Sequence, residues 1–424
     1  MPLLPEELVR QIHAAASQVV LVLNGGSRAV ADLLEMPGGS KILLEATVPY
    51  AEGALRAWLG SRPEQFCSSR TARAMAVVAF GRAVRYGAAE HLAAGVSCTA
   101  GLATDRPKRG SHRAHIAVQT ASQTRHWSLE LTKDARSRQE EERIVSRMVL
   151  NAVAAACGLA AQLELPLLEL ERVEIEDVSA PLLWQDLFLG RVEAIQANQV
   201  MPWEGEGNTL PSPPAPLPVG EGRNAPPRPA PLPEGEERKL PSPPLPLGEG
   251  RNAPRVIFSG AFDPLHDGHR RMAEIAEETL GLPVAMEISI LNVDKPALDY
   301  LELDRRLKQF TQRAVWLTRA ATFHDKSRLF PGATFVVGID TLRRIADPRY
   351  YGNDGGAMMQ SIERIIARGC RFLVFGRAAA SSLIRLLDLD LPDVLRRACR
   401  EIPPETFRED VSSTALRKAG AAPE

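Results

Sequence analysis

The chain is short of the residue types that would advertise a disulfide scaffold, a metal cluster or a membrane anchor. Its five cysteines (Cys67, Cys98, Cys157, Cys370 and Cys399) are odd in number and scattered, with no CxxC spacing. That usage excludes a cysteine framework and a cysteine zinc site and fits reduced thiols, so a cytoplasmic location is expected. Histidines number eight in 424 residues, too few to suggest a histidine-rich metal centre. Formal net charge is -1, from 51 basic and 52 acidic residues, so no overall field draws nucleic acid or an anionic membrane. No apolar run reaches the roughly 18 residues needed to span a bilayer. The opening MPLLPEELVRQIH is acidic and lacks the charged n-region and cleavage site of a secretory signal. What is present is ordinary globular material, 45% hydrophobic and 24% charged, in a chain long enough for two or three domains.

Proline is concentrated rather than scarce. About half of the 33 prolines fall between Pro202 and Pro254, where LPSPP recurs at Leu210 and Leu240 and GEGRNAP at Gly220 and Gly248. Proline fixes φ and removes backbone donors, and this segment has few large apolar side chains to offset the entropy of folding. It reads as an extended, disordered linker, with a ligand for SH3-like modules as the functional alternative. The expected organisation is an α/β domain over 1–201, the linker over 202–254, and a second α/β domain over 255–424. Each flank should fold separately.

In the first segment QVVLVL reads as a buried strand ending in NGGS, SRAVADLLE as helix and KILLEATV as a second strand. TARAMAVVAFGRAVRYG has helical length and spacing, and QEEERIVSRMVLNAVAAACG has an acidic first turn and a terminal glycine. In the second segment VIFSG, VAMEISILN, ATFVVGID and CRFLVFGR are β-rich runs, each followed by helix-like sequence. Repeated βα units imply a parallel sheet covered on both faces, with ligands at the carboxyl ends of its strands.

One such turn is GAFDPLHDGHRRM, residues 260–272. His266 and His269 are three apart and could share one face of a helical turn. A metal reading has Asp263 and Asp267 nearby, but no further His/Cys cluster completes a site. A core-histidine reading sits poorly with a polar, glycine-flanked turn. Phosphate handling fits better: the following helix offers free amides and a positive dipole end, and Gly268 allows close backbone approach. Near the other end, EDVSSTALRKAG sets Ser412, Ser413 and Thr414 at an expected helix N-terminus, with Arg417 one turn on. The hydroxyls, amides and guanidinium fork could hold a polyphosphate; an ordinary helix cap is the bland alternative.

Together, GxFxPxHxGH and SSTxxR resemble the paired signatures of the HxGH nucleotidyltransferase superfamily. The run GAFDPLHDGH, NVDKP, FVVGIDTL, FLVFGR and VSSTALR resembles its nicotinamide or nicotinate mononucleotide adenylyltransferase branch. The resemblance implies a Rossmann-like parallel sheet and catalytic roles at the triphosphate for His266, His269 and Arg417. It implies nucleotide binding by Gly260, Phe262, Gly268, Gly338, Asp340, Arg377, Ser413 and Thr414, and substrate contact by Lys295 and Arg306. No resident metal is implied; Mg²⁺ comes with ATP.

The first domain resembles the CinA C-terminal family, whose active members deamidate nicotinamide mononucleotide. MPGGSKILLEATVPYAEGALRAWLG puts Ser40 and Tyr50 at the family's serine and tyrosine positions, and Thr99 falls in GVSCTAGLATDRPKRG, the counterpart of a phosphate loop. The family's Glu-Ser-Cys-Thr-Gly-Gly opening is reduced here to LNGGS, keeping Gly25 and Gly26, and its lysine is replaced by Leu55. A serine without an activating base is a poor nucleophile, so this domain is expected to bind a mononucleotide rather than hydrolyse it.

The expected function is transfer of AMP from ATP to nicotinamide or nicotinate mononucleotide in NAD biosynthesis, beside a degenerate deamidase-like domain. Alternatives are adenylyl or cytidylyl transfer to another phosphate ester such as phosphopantetheine, or a catalytically silent nucleotide-binding regulator. Expected partners are ATP and a mononucleotide, with no nucleic acid and no membrane; a homo-oligomer is left open.

Overall fold

The computed structural model describes residues 3–105, 110–197, 253–293, 296–379, 382–403 and 405–407. The proline-rich segment, Lys295, Ser413, Thr414 and Arg417 lie outside the described residues.

The N-terminal sheet has six strands: β1 (Gln18–Asn24), β2 (Leu43–Thr47), β3 (Ala93–Gly101), β4 (His112–Thr120), β5 (Gln123–Leu131) and β6 (Val173–Ser179), in the order β2-β1-β3-β4-β5-β6. β2, β1 and β3 are parallel and the rest antiparallel. Helix Arg138–Ala156 covers one face and buries Ile144, Val145, Met148 and Val149 against Leu21, Val96 and Ile116. It opens with a capping box between Ser137 and Glu140, as its acidic start promises. Helix Ser69–Arg85 covers the other face; Met75, Ala79 and Phe80 pack on Val20 and Val22.

The second sheet comprises β7 (Ala194–Gln196), β8 (Val256–Ser259), β9 (Val284–Ser289), β10 (Val315–Thr318), β11 (Thr334–Gly338), β12 (Arg371–Phe375) and β15 (Cys399–Glu401). A hairpin, β13 (Arg377–Ala379) with β14 (Ser382–Ile384), stands apart. The sheet order is β15-β12-β11-β8-β9-β10-β7. Its six strands from β8 to β15 are parallel and follow the third-second-first-fourth-fifth-sixth order of a Rossmann-like doubly wound sheet. Two α/β domains are therefore present, as expected.

The edge strand β7 comes from before the proline-rich segment and pairs antiparallel with β10. Composition groups residues 182–197 with the first domain; hydrogen bonding groups their strand with the second. Helix Leu182–Leu189 goes with it, burying Trp184 and Leu187 in the second domain's core. Arg319 donates to the carbonyls of Leu187 and Phe188 at 2.9 and 2.7 Å, closing that helix's open end.

The two domains also share a packed interface, where separate folding units were expected. Tyr300, fully buried, donates its hydroxyl to the carbonyl of Ala121 at 2.6 Å, and its N–H to Thr124 Oγ1 at 3.0 Å. Its ring lies 5.1 Å from Phe188, which in turn lies 5.6 Å from Phe80. Arg73 reaches across to both carboxylate oxygens of Asp299 at 3.1 Å. Among the described residues no helix is long and apolar enough to cross a membrane.

Candidate functional site

The winding of the second sheet reverses between β8 and β11, so the loops leaving their carboxyl ends open toward one crevice. The loop after β8 carries Gly260 to His266; the one after β11 carries Gly338, which precedes helix Ile339–Ile345, and Asp340 in its first turn. Arg377 follows β12 after the single residue Gly376, at the same end of the sheet. The fold thus gathers three separated sequence motifs at the carboxyl ends of the sheet's strands.

The β8 loop is tightly built. Phe262 takes φ +45°, the left-handed region, at a cost of about 1–3 kcal/mol for a non-glycine residue. Its ring is buried edge-on against Phe258, His269 and Phe310, with centroids 5.3, 5.1 and 5.4 Å away. Gly260 is required beneath it: a Cβ there would stand 2.6 Å from Phe262 Cζ. Gln309 clamps the loop from both sides, donating to Phe262 O at 3.0 Å and accepting from Leu265 N–H at 2.8 Å. Arg306 donates to Ala261 O at 2.9 Å. The peptide between Asp263 and Pro264 is cis.

His266 occupies the cap position of helix Asp267–Leu280, and His269 lies in its first turn. Their rings stack with centroids 3.7 Å apart and planes 27° from parallel. The His266 N–H points to His269 Nδ1 at 3.4 Å, so a neutral His269 carries its proton on Nε2. Burial, reinforced by His266 and Arg270, pushes the His269 pKa down to about 3. The ring is therefore neutral near pH 7. It can donate to an anion at the helix N-terminus without a fixed charge repelled by the dipole.

Behind the loop lies an ionic cluster that the sequence reading missed. Asp263 is buried among Arg70, Arg305 and Arg306. Burial alone would raise its pKa; the guanidiniums outweigh it and hold the carboxyl below its ordinary value. Glu302 is buried in the same cluster, hydrogen-bonded to Arg305 and Arg306 at 2.6 and 2.8 Å. Burial again opposes ionisation, yet these partners bring its pKa down to about 2. Arg306, expected as a substrate contact, is buried and braces Glu302 against Ala261 O. The Glu302–Arg305 and Glu302–Arg306 spacings of three and four along helix Tyr300–Leu307 were the local signals for this cluster.

The first domain offers a cavity of about 280 Å³, lined by Asn24, Tyr50, Leu55, Cys67, Thr99 and Arg138 among others. Thr99 donates to Phe66 O at 2.8 Å. Ser40 sits exposed on the short helix Gly39–Ile42 and is not part of the lining. Gly25 and Gly26 are buried for packing: a Cβ on Gly25 would meet Ala100 Cβ at 2.5 Å, and Gly26 (φ +68°) faces Val145 and Val149. His112, at the start of β4, is turned inward onto Glu141 at 2.6 Å.

Residues 257–419 match the Cytidylyltransferase-like family model. The second domain is accordingly a cytidylyltransferase-like nucleotidyltransferase domain. Solved structures similar to the N-terminal part include the competence/damage inducible protein CihA from Agrobacterium tumefaciens, 22% identical, covering 37% of this chain and 99% of that one, with a TM-score of 0.30. A competence or damage-inducible protein from Enterobacter asburiae is 14% identical, covers 36% of this chain and 96% of that one, and scores 0.30. A competence-damaged protein (CinA) superfamily protein from Escherichia coli is also 14% identical, covering 37% and 87%, with a TM-score of 0.28. No curated protein matches the chain.

Proposed function

We propose that the second domain transfers AMP from ATP to nicotinamide or nicotinate mononucleotide and releases pyrophosphate. The observation that carries this reading is the stacked His266–His269 pair, with a neutral His269 ring, at a helix N-terminus beside the sheet's switch point. An oxygen of the acceptor phosphate attacks the α-phosphorus in line; the new P–O bond forms as the bond to the β-phosphate's bridging oxygen breaks. Pyrophosphate leaves with the electron pair. No covalent enzyme intermediate is needed, so the protein's work is alignment and stabilisation of developing negative charge. His266, His269 and the open amides of their helix would grip the triphosphate. Ser413, Thr414 and Arg417 would hold its distal phosphates. Phe407, the last described residue before them, packs on Phe375 at the carboxyl end of β12 with ring centroids 5.1 Å apart.

Mg²⁺ would neutralise the phosphates. Among the described residues no group of three His, Cys, Asp or Glu could cage a metal, and Asp263 is already occupied by guanidiniums. An ion that arrives with the nucleotide would keep most of its waters.

The test is a panel of phosphate esters with ATP or CTP and Mg²⁺, scored by pyrophosphate release and product mass. Adenylylated nicotinamide or nicotinate mononucleotide is expected, reduced about 10²–10³-fold in His269→Ala. Product with cytidylyl transfer or with phosphopantetheine alone would replace the substrate assignment. For the first domain, we propose mononucleotide binding without amide hydrolysis, because apolar Leu55 lines the cavity and Ser40 does not. Ammonia release from nicotinamide mononucleotide that is lost in Ser40→Ala would overturn this.

A further inference from the structure

The first domain touches the second at the transferase motif itself. Arg70, on helix Ser69–Arg85, places Nη2 3.0 Å from Asp263 Oδ2 and 3.4 Å from Glu302 Oε1. One turn on, Arg73 holds Asp299, whose side chain accepts the N–H of Glu302 at 3.0 Å and so caps helix Tyr300–Leu307. That helix delivers Arg305 to Asp263 and Arg306 to Ala261 O. Asp263 follows Phe262, the residue at φ +45°, and precedes His266 by three positions. A strained loop persists only where its surroundings over-determine it. Here one of the surrounding braces belongs to the other domain.

We propose that Arg70 is a positioning residue for nucleotidyl transfer: by holding Asp263 it fixes the loop from which His266 and His269 project. This rests on the transfer reading above for its catalytic consequence. The first domain is then part of the transferase's active-site wall rather than a tethered neighbour. The cluster contains four guanidiniums (Arg70, Arg73, Arg305, Arg306) against three carboxylates (Asp263, Asp299, Glu302), and Arg70 also lies 3.7 Å from Glu64. Removing Arg70 therefore leaves Asp263 still paired with Arg305, so the loop loosens while the fold survives.

The experiment uses the full chain as wild type, Arg70→Ala, Arg70→Lys and His269→Ala. Steady-state transfer is measured with ATP and the acceptor found by the ester panel, alongside melting temperature. Arg70→Ala should lower kcat about 10-fold with KM for ATP changed less than about 2-fold, since a displaced loop costs alignment more than binding. Arg70→Lys should recover most of the loss, because one ammonium can still reach Asp263. A merely structural role would shift melting and leave kcat per folded molecule unchanged. Imidazole nitrogen NMR supplies a second readout: the His266 and His269 signals should shift in Arg70→Ala while that of His324 stays. Unmoved signals, or wild-type kcat in Arg70→Ala beside an inactive His269→Ala, would overturn the proposal. If wild type transfers to no acceptor, the functional reading fails on its own, and the imidazole signals still decide whether Arg70 positions the loop.

Discussion

Tyr300 and Ala121, 179 residues apart, are joined by a 2.6 Å hydrogen bond from a fully buried phenol to a main-chain carbonyl. Tyr300 begins the helix that braces the HxGH loop, and Ala121 opens the hairpin turn between β4 and β5. The bond ties the nucleotidyltransferase domain to a main-chain carbonyl of the first domain's sheet. Tyr300→Phe should therefore destabilise the protein by about 1–3 kcal/mol, the cost of stranding a buried acceptor. Chemical denaturation checks this; an unchanged midpoint would mean the carbonyl is solvated.

The same interface bears on the linker. A protease site inserted near Gly222 should, once cleaved, leave two fragments that co-elute as one species at low salt. The Phe80–Phe188–Tyr300 contacts and the Arg73–Asp299 pair hold them together. Fragments that separate on size exclusion would contradict this, and would restore the independent domains that composition alone suggested.

Gly260→Ala should be costly although the change is one methyl group. The new Cβ would stand 2.6 Å from Phe262 Cζ, so the ring must leave its slot between Phe258, His269 and Phe310. A loss of about 1–3 kcal/mol is expected from overpacking, with reduced transfer in the folded fraction. Wild-type stability and activity would show that the ring is free to move.

Acid should weaken the fold early. Burial pushes His126 down to about 3, with Arg73 and His115 adding to the effect, and His269 is likewise held near 3. In the unfolded chain both return toward 6.5, so the unfolded state binds more protons between these values. Stability is complete above about pH 6.5 and falls as pH drops toward 3; Glu302, held near 2, adds a further loss below about 4.5. Melting temperatures across this range should decline, with a shallower slope for His126→Gln between pH 6.5 and 4.5. An identical slope in the variant would remove His126 from the account.

Much of the architecture was legible in the residues themselves. VIFS, VAMEIS, TFVVG and RFLVF are unbroken apolar runs because strands of a parallel sheet are buried on both faces, and each became a strand of the doubly wound sheet. The acidic start of helix Arg138–Ala156 and the glycine after helix Asp267–Leu280 marked their ends because backbone groups there need local partners. Local chemistry of that kind acts over a few residues and leaves a readable pattern. The rest depends on contacts across long separations. β7 is three residues long and carries no periodicity; only the open edge of β10 makes AIQ a strand. Arg70 and Arg73 look like the solvated face of a helix until Asp263, Asp299 and Glu302 arrive from residues about two hundred positions away. The left-handed Phe262 has no sequence mark either, since its strain is tolerated only because Gln309, Arg306 and three aromatic rings converge on that loop. Side-chain pattern and backbone capping set where strands and helices form; the burial of charge between two domains decided how the HxGH loop is held.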